Sequence, residues 1–430
     1  MTITFIGHGY VGLVTACVFA NFGNTVWVVG HTARKIQKLK NGDPIIYEPG
    51  LKELLEKNIK AKRINFTLDI KEAVSKSEII FITVGTPPKK NGEADLSTVL
   101  NVAKNIGKSL KTGFSIVSCK STVPVGTNKK IEEAINRNKS KSSKVAVASC
   151  PEFLREGTAL QDTLSPDRIV IGSESKIAID KILELHQPIG GKRIITDLAS
   201  AELIKYASNA MLACKVSYAN LISFYCEKTM ADVETVLDAV GIDNRIGRVF
   251  LYPGVGYGGS CLPKDVKALV NIGKKLEIDT KMLDGIEEVN KQAAKYFLQK
   301  IIKNASGKNI AIWGLSFKPN TDDIRFAPSI YIIQELLKKG FKITVYDPEA
   351  MDNIKTVFGN SLNYANNPYE AVKDASSLCI LTEWDEFKQI SMNKVKKYMK
   401  NYIIFDGRNI YSPTKMKDLG FKYFGIGRNI

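Results

Sequence analysis

Histidine is nearly absent from these 430 residues: only His8, His31 and His186 occur, which excludes a histidine-rich metal centre, and no metal is expected. The seven cysteines (Cys17, Cys119, Cys150, Cys214, Cys226, Cys261, Cys379) are odd in number, widely spread and never in a CxxC pair. That distribution excludes a disulfide framework and a zinc ribbon, and predicts that most are buried thiols in a reducing compartment. No apolar run approaches the ~20 residues needed to cross a bilayer. The chain opens MTITFIGHGYVG, with neither a basic leader nor a cleavage site, so a cytoplasmic protein without membrane insertion is expected. There is no low-complexity tract, and 44% hydrophobic residues with 24% charged supply two or three buried cores.

Acid is also in deficit, with 44 Asp and Glu against 61 Lys and Arg, a formal charge of +17. Such a balance suits polyanions. The basic residues are nevertheless spread over helical segments with acidic neighbours, without a zinc finger or an aromatic RNA platform. A phosphate-bearing small ligand is therefore the expected anion, and a nucleic acid is not.

The first segment, ITFIGHGYVGLVTACVFANFG, reads as a short apolar strand, a glycine turn and a helix of small and apolar residues, followed by the strand TVWVV. Gly7, Gly9 and Gly12 fit GxGxxG at the strand end. Gly7 makes the tight turn, Gly9 lets the backbone approach a pyrophosphate, and Gly12 lets helix and strand pack closely, while the helix N-terminus supplies the positive dipole end. The acid that normally ends the second strand is missing: the chain reads Val29, Gly30, His31, Thr32, Ala33, Arg34, Lys35. Two basic side chains in place of a carboxylate would tolerate a ribose 2′-phosphate, so NADP joins NAD as a candidate cofactor. Arg34 and Lys35 also fit the solvated first turn of the next helix.

Further strands end in turns at 78–88, 114–127 and 144–160, the places where ligands gather in open α/β sheets. From Ala199 to Met230 the pattern is one long helix, suited to a connecting and dimerising spine or to a buried core. A glycine-rich loop, LYPGVGYGGSCLPKD, follows at 251–265, and from Lys308 the strand, glycine turn, helix and strand pattern is used again. The fold expected is α/β, with two Rossmann-like domains joined by a long central helix and a helical dimerisation region. Its boundaries fall at 1–198, 199–298 and 299–430.

Cys261 stands out. Gly258 and Gly259 precede it and Pro263 is placed to start a helix, so its thiolate would lie near a positive N-terminus and be nucleophilic. Three pairs share a spacing of four, which puts both members on one face wherever the backbone is helical: Lys205 and Asn209, Cys261 and Asp265, Glu152 and Glu156. The plainer alternatives are a solvated helix lysine and ordinary acids on a surface helix. A nicotinamide cofactor beside a cysteine nucleophile suggests oxidation of an aldehyde through a thioester.

GHGYVG, YEPGL (47–51), TVGTPP, KSTVPVGT, PEFLREG, ELIKYASNA, RIG (245–247), GYGGSCLPKD, GLSFKPNTDDIR and FDGRN occur in this order. Over nearly all its length the chain resembles the UDP-glucose/GDP-mannose dehydrogenase family, and within it the members that act on UDP-glucose. The resemblance implies an NAD(P)-binding Rossmann domain, a helical region that forms a homodimer, and a C-terminal UDP-sugar domain. The implied reaction removes four electrons from the sugar's primary alcohol, reduces two cofactors and leaves a uronate. Cys261 would carry the thiohemiacetal and thioester, and Lys205 and Asn209 would stabilise oxyanions. Asp265 with Thr122 would position the water, and Glu156 or Glu152 would move the proton. Cofactor contacts are expected from Gly7, Gly9, Tyr10, Val11, Gly12, Gly30, Arg34, Lys35, Thr83, Gly85, Thr86, Thr122, Lys264 and Arg325. Substrate contacts are expected from Glu152, Phe153, Leu154, Lys205, Asn209, Arg245 (across the dimer), Phe250, Leu251, Tyr252, Gly258, Lys318 and Arg325.

Three positions depart from the family's pattern. Gly30 replaces a ribose-binding Asp, Leu262 stands where many UDP-glucose enzymes have Phe, and Phe326 follows Arg325 where Glu is frequent. GDP-mannose or a UDP-N-acetylhexosamine is the alternative substrate. A non-catalytic NAD-binding protein is the alternative class, although it has no evident need for Cys261, Lys205, Asn209 and Asp265.

Overall fold

The computed structural model describes residues 1–428, and the chain divides into two compact units, Met1–Ser208 and Asn209 onward. In the first unit, runs of branched apolar residues form strands buried on both faces, as a covered parallel sheet requires. The strands are β1 (Thr2–Ile6), β2 (Thr25–Val29), β3 (Ile64–Thr67), β4 (Ile79–Ile82), β5 (Gly113–Cys119), β6 (Ser143–Ser149), β7 (Arg168–Gly172) and β8 (Lys192–Thr196). Their order is β3-β2-β1-β4-β5-β6-β7-β8. The first six make a doubly wound dinucleotide-binding sheet whose order reverses between β1 and β4. The helix Tyr10–Asn21 is buried from Gly12 to Ala20, because the sheet lies on one side and the helices Leu51–Lys60 and Ala159–Leu164 cover it from the others.

All neighbouring pairs run parallel except β6 and β7, which meet antiparallel at Ser149 and Gly172. A parallel return needs a crossover of a dozen or more residues, usually a helix. Here the connection spends its first nine residues, Cys150–Thr158, without helix and forms only the short helix Ala159–Leu164. Glu152 and Glu156 therefore do not share a helical face, and the surface-helix reading of that pair is corrected: both are buried in a loop.

The long helix runs from Leu198 to Thr229 and carries the chain from one unit into the other. The second unit continues with the helices Val233–Ile242, Leu262–Lys275 and Lys281–Asn304. It ends in a second, all-parallel sheet. Its strands are β9 (Asn309–Trp313), β10 (Lys342–Tyr346), β11 (Asn363–Tyr364), β12 (Ser377–Ile380), β13 (Ile403–Asp406) and β14 (Lys422–Phe424), in the order β11-β10-β9-β12-β13-β14. This repeats the winding of the first sheet's first six strands. Its core is two clusters, one on each face, built around Phe297, Ile312, Ile332 and Phe405 and around Trp313, Leu378, Phe387 and Val395.

Candidate active site

At the end of β1 the three glycines occupy the positions their spacing called for. Gly7 has φ +120°, and a Cβ on it would lie 2.4 Å from the Thr83 carbonyl oxygen; one on Gly12 would lie 2.1 Å from the Gly7 carbonyl oxygen. Neither position admits a side chain, so strand, turn and helix close on one another. Thr83 locks the turn by donating from Oγ1 to the Ile6 carbonyl at 3.0 Å and the Gly7 carbonyl at 3.2 Å. Gly9 differs, since nothing lies within 4 Å of where its Cβ would be, and it caps the helix Tyr10–Asn21 without a side-chain bond. Open space at Gly9 beside a helix N-terminus is the cradle a pyrophosphate needs, so these residues fit a dinucleotide. Gly85 is equally open, Thr86 donates to the Thr122 carbonyl at 2.9 Å, and Tyr10 donates to the Tyr47 carbonyl at 2.8 Å. Val11 is half-buried, and Arg34 and Lys35 lie exposed in the first turn of the helix Ala33–Lys40.

Beyond β6 the loop 150–158 is held from afar. Glu48 accepts from the Gly157 N–H at 2.7 Å and the Leu160 N–H at 3.3 Å. Within the loop Glu152 accepts from the Leu154 N–H at 2.8 Å and pairs with Lys205 Nζ at 3.1 Å, their side chains 7% and 5% exposed. Phe153 lies between two cations, with the Arg168 guanidinium 4.0 Å and Lys205 Nζ 5.2 Å from its ring centre. Glu202, one turn before Lys205, takes the Gly126 N–H at 2.6 Å and the Asn128 N–H and Nδ2 at 2.7 Å each. It thereby fixes the long helix to the turn that follows Thr122, and burial pushes its carboxyl up despite those donors. The structure brings together Glu152, Phe153 and Lys205, and it leaves Glu156 buried in the same loop. Glu48 and Glu202 escaped sequence reasoning: YEPGL and ELIKYASNA contain them, but an acid's task of holding backbone N–H groups depends on contacts far along the chain.

In the second unit Cys261 is the N-cap of the helix Leu262–Lys275, with Pro263 in its first turn. It is exposed, whereas Cys17, Cys119, Cys150, Cys226 and Cys379 are buried and Cys214 is half-buried. Asp265, 1% exposed, accepts from Asn209 Nδ2 at 2.6 Å, and Lys264 Nζ pairs with its other oxygen. The two glycines before the cysteine let backbone lie against backbone. A Cβ on Gly258 would lie 2.4 Å from the Phe326 carbonyl oxygen, and Gly259, at φ +80°, donates to the Arg325 carbonyl at 2.8 Å. Lys318 stands in the loop after β9, which Asp347 clamps by accepting from the Leu315 and Ser316 N–H groups at 2.6 and 3.1 Å. Arg325 forks onto Asp323, and Phe326 holds φ +53° with its ring exposed.

Four further residues are spread along one loop. Arg245 forks onto Asp243 and is 89% exposed, Phe250 holds φ +69°, Leu251 is buried, and Tyr252 is exposed with the Arg248 guanidinium 5.0 Å from its ring centre. Among the described residues no cluster of His, Cys, Asp and Glu could hold a metal ion.

Residues 1–190 match the NAD binding domain of the UDP-glucose/GDP-mannose dehydrogenase family, residues 199–292 its central domain and residues 311–413 its UDP binding domain. The chain is 44% identical to the UDP-glucose 6-dehydrogenase TuaD of Bacillus subtilis over 429 residues, 99% of this chain and 93% of the relative. It is 43% identical to the UDP-glucose 6-dehydrogenase of Rhizobium meliloti over 438 aligned positions that cover both chains completely. Among solved structures, a UDP-glucose dehydrogenase from the hyperthermophilic archaeon Pyrobaculum islandicum superposes with a TM-score of 0.92 at 34% identity, covering 99% of this chain and 98% of that one. The chain belongs to the UDP-glucose/GDP-mannose dehydrogenase family.

Proposed function

We propose that the protein oxidises the primary alcohol of UDP-glucose to the carboxylate of UDP-glucuronate, removing four electrons. The observation that carries this reading is an exposed Cys261 at a helix N-terminus, on a chain similar end to end to UDP-glucose 6-dehydrogenases. When bound, NAD supplies the hydride acceptor for each of the two oxidations. Cys261 Sγ attacks the aldehyde-level carbon to give a thiohemiacetal, whose oxidation leaves a thioester that water hydrolyses, freeing the thiol and the uronate. Lys205 and Asn209, one turn apart on the helix Leu198–Thr229, supply donors to the oxygen where negative charge grows. The hydrogen bond from Asn209 to Asp265 fixes both side chains, and Asp265 with Thr122 orients the water. Glu156, or Glu152 already paired with Lys205, moves the proton.

The remaining expectations enter the same proposal. The chain works as three parts, 1–198, 199–298 and 299–430, with Lys318 and Arg325 on the sugar nucleotide and Arg245 reaching the substrate of a second copy. Met211, Tyr218, Leu221 and Tyr225 expose apolar surface along the long helix, which supports a homodimer through the helical region. No helix among the described residues is long and apolar enough to cross a membrane. Seven free thiols suit a reducing, cytoplasmic setting.

The test is turnover of purified protein with UDP-glucose, following reduced nicotinamide with NAD and NADP separately and identifying the sugar product. Two reduced cofactors per UDP-glucuronate are expected. No turnover with UDP-glucose but turnover with GDP-mannose or a UDP-N-acetylhexosamine would move the assignment to that sugar.

A further inference from the structure

Residue 30 follows β2, where dinucleotide-binding folds usually place the carboxylate that takes the adenosine ribose hydroxyls. The space beside Gly30 is filled. A Cβ there would lie 2.6 Å from His8 Cδ2 and 2.6 Å from Ile36 Cδ1. A carboxylate at position 30 is absent from the sequence, and one placed there would require the His8 and Ile36 side chains to move aside. His8, the residue between Gly7 and Gly9, is 6% exposed. Its Cδ2, the atom nearest to a Cβ on residue 30, is bonded to Nε2. His8 Nε2 is buried and has no hydrogen-bond partner among the described residues. A buried ring nitrogen left unpaired costs stability, and at a ligand cradle this calls for a partner on the ligand.

The surroundings are cationic. The His31 ring centre lies 5.2 Å from that of His8, and Arg34 and Lys35 extend from a helix with no acid in its first turn. The carboxylates on the neighbouring turn are already engaged. Asp69 accepts from the Lys71 N–H at 2.8 Å, and Glu72 accepts from Thr67 Oγ1 at 3.0 Å and pairs with Lys76 at 3.1 Å. We propose that His8 reads the 2′ position of the adenosine ribose, and that with His31, Arg34 and Lys35 it makes this site accept a 2′-phosphate. The proposal rests on the dinucleotide reading above and names the residue that sets its cofactor class. An imidazole Nε2–H donates to a phosphate oxygen as a carboxylate cannot, and Arg34 offers a planar fork to the same group.

Calorimetric titration of the full-length protein with NAD and with NADP, in the absence of sugar nucleotide, tests this without turnover. NADP is expected to bind at least as tightly as NAD. His8→Ala is expected to weaken NADP by about tenfold while changing NAD by less than about threefold, and His8→Asn, which keeps a donor, to restore part of the loss. Arg34→Ala, at an exposed position that cannot unfold the core, is expected to act in the same direction. NADP binding much weaker than NAD in the parent, or equal losses for both cofactors in the His8 and Arg34 variants, would overturn the proposal. Binding of neither cofactor by the parent protein would instead overturn the dinucleotide reading beneath it.

Discussion

Alkylation separates Cys261 from its six companions, and the structure sets the size of the separation. Burial pushes Cys17 and Cys119 up to about 12, and it pushes Cys214, Cys226 and Cys379 up as well. The thiolate is the nucleophile, so at about pH 8 a thiol near 12 is reactive for roughly one part in ten thousand of the time, against about a quarter for an ordinary exposed thiol. Ionisation alone thus gives a ratio on the order of a thousandfold, and closure of the core around Cys17 and Cys119, 0% and 1% exposed, widens it. Native protein treated with a small excess of iodoacetamide should gain one adduct, mapped by peptide mass spectrometry to Cys261, with uronate formation lost in step. Cys261→Ser should gain no adduct on that timescale and release no uronate. The half-buried Cys214 is the sharpest competitor. Labelling of Cys214 or a core thiol as fast as Cys261, or full uronate production by the singly labelled protein, would refute the reasoning.

Two predictions concern the first unit, in which Trp27 is the only tryptophan, so its fluorescence in a Trp313→Phe/Trp384→Phe background reports that unit alone. Glu152→Gln removes the charge that faces the buried Lys205 ammonium at 3.1 Å and should lower stability in urea unfolding. Adding Lys205→Met should recover part of that loss, and strict additivity would deny the coupling. His186, buried and bonded through Nδ1 to the Ile182 carbonyl at 2.7 Å, is pushed down to about 3 by burial, reinforced by Lys120. The fold keeps the imidazole neutral while the unfolded chain takes a proton below about 6.5, so stability falls as pH drops from about 6.5 toward 3. Between pH 7 and about pH 5 this amounts to about 2 kcal/mol. His186→Phe should remove that slope whatever its constant offset, and an unchanged slope would sink the assignment.

Local chemistry was readable wherever one stretch of chain carries its own reason. GHGYVG needs only its neighbours to form strand, turn and helix, and Pro263 after Cys261 starts a helix by its own fixed φ. The long helix, expected from 199 to 230, runs from Leu198 to Thr229, because no glycine or proline interrupts it over that length. What resisted reading depends on partners far along the chain. Glu152 and Glu156 have helical spacing, yet Glu48, about a hundred residues earlier, holds the segment's backbone in a loop.

Gly30 shows the limit most clearly, since a missing carboxylate is visible in the sequence but the side chains that surround the position are not. The sequence offers glycine as a tolerated absence, while the packing shows His8 and Ile36 converging on the place where a side chain would begin. His8 is 22 positions from Gly30, and the pairing of Ile6 with Val29 sets Gly7, the residue before His8, opposite Gly30. Parallel pairing brings the residue after one strand against the residue after the next, so a choice in the glycine turn of β1 constrains the ribose position after β2. Gly30→Asp should lower the urea midpoint of the parent protein, and by less in a background where both His8 and Ile36 are made smaller.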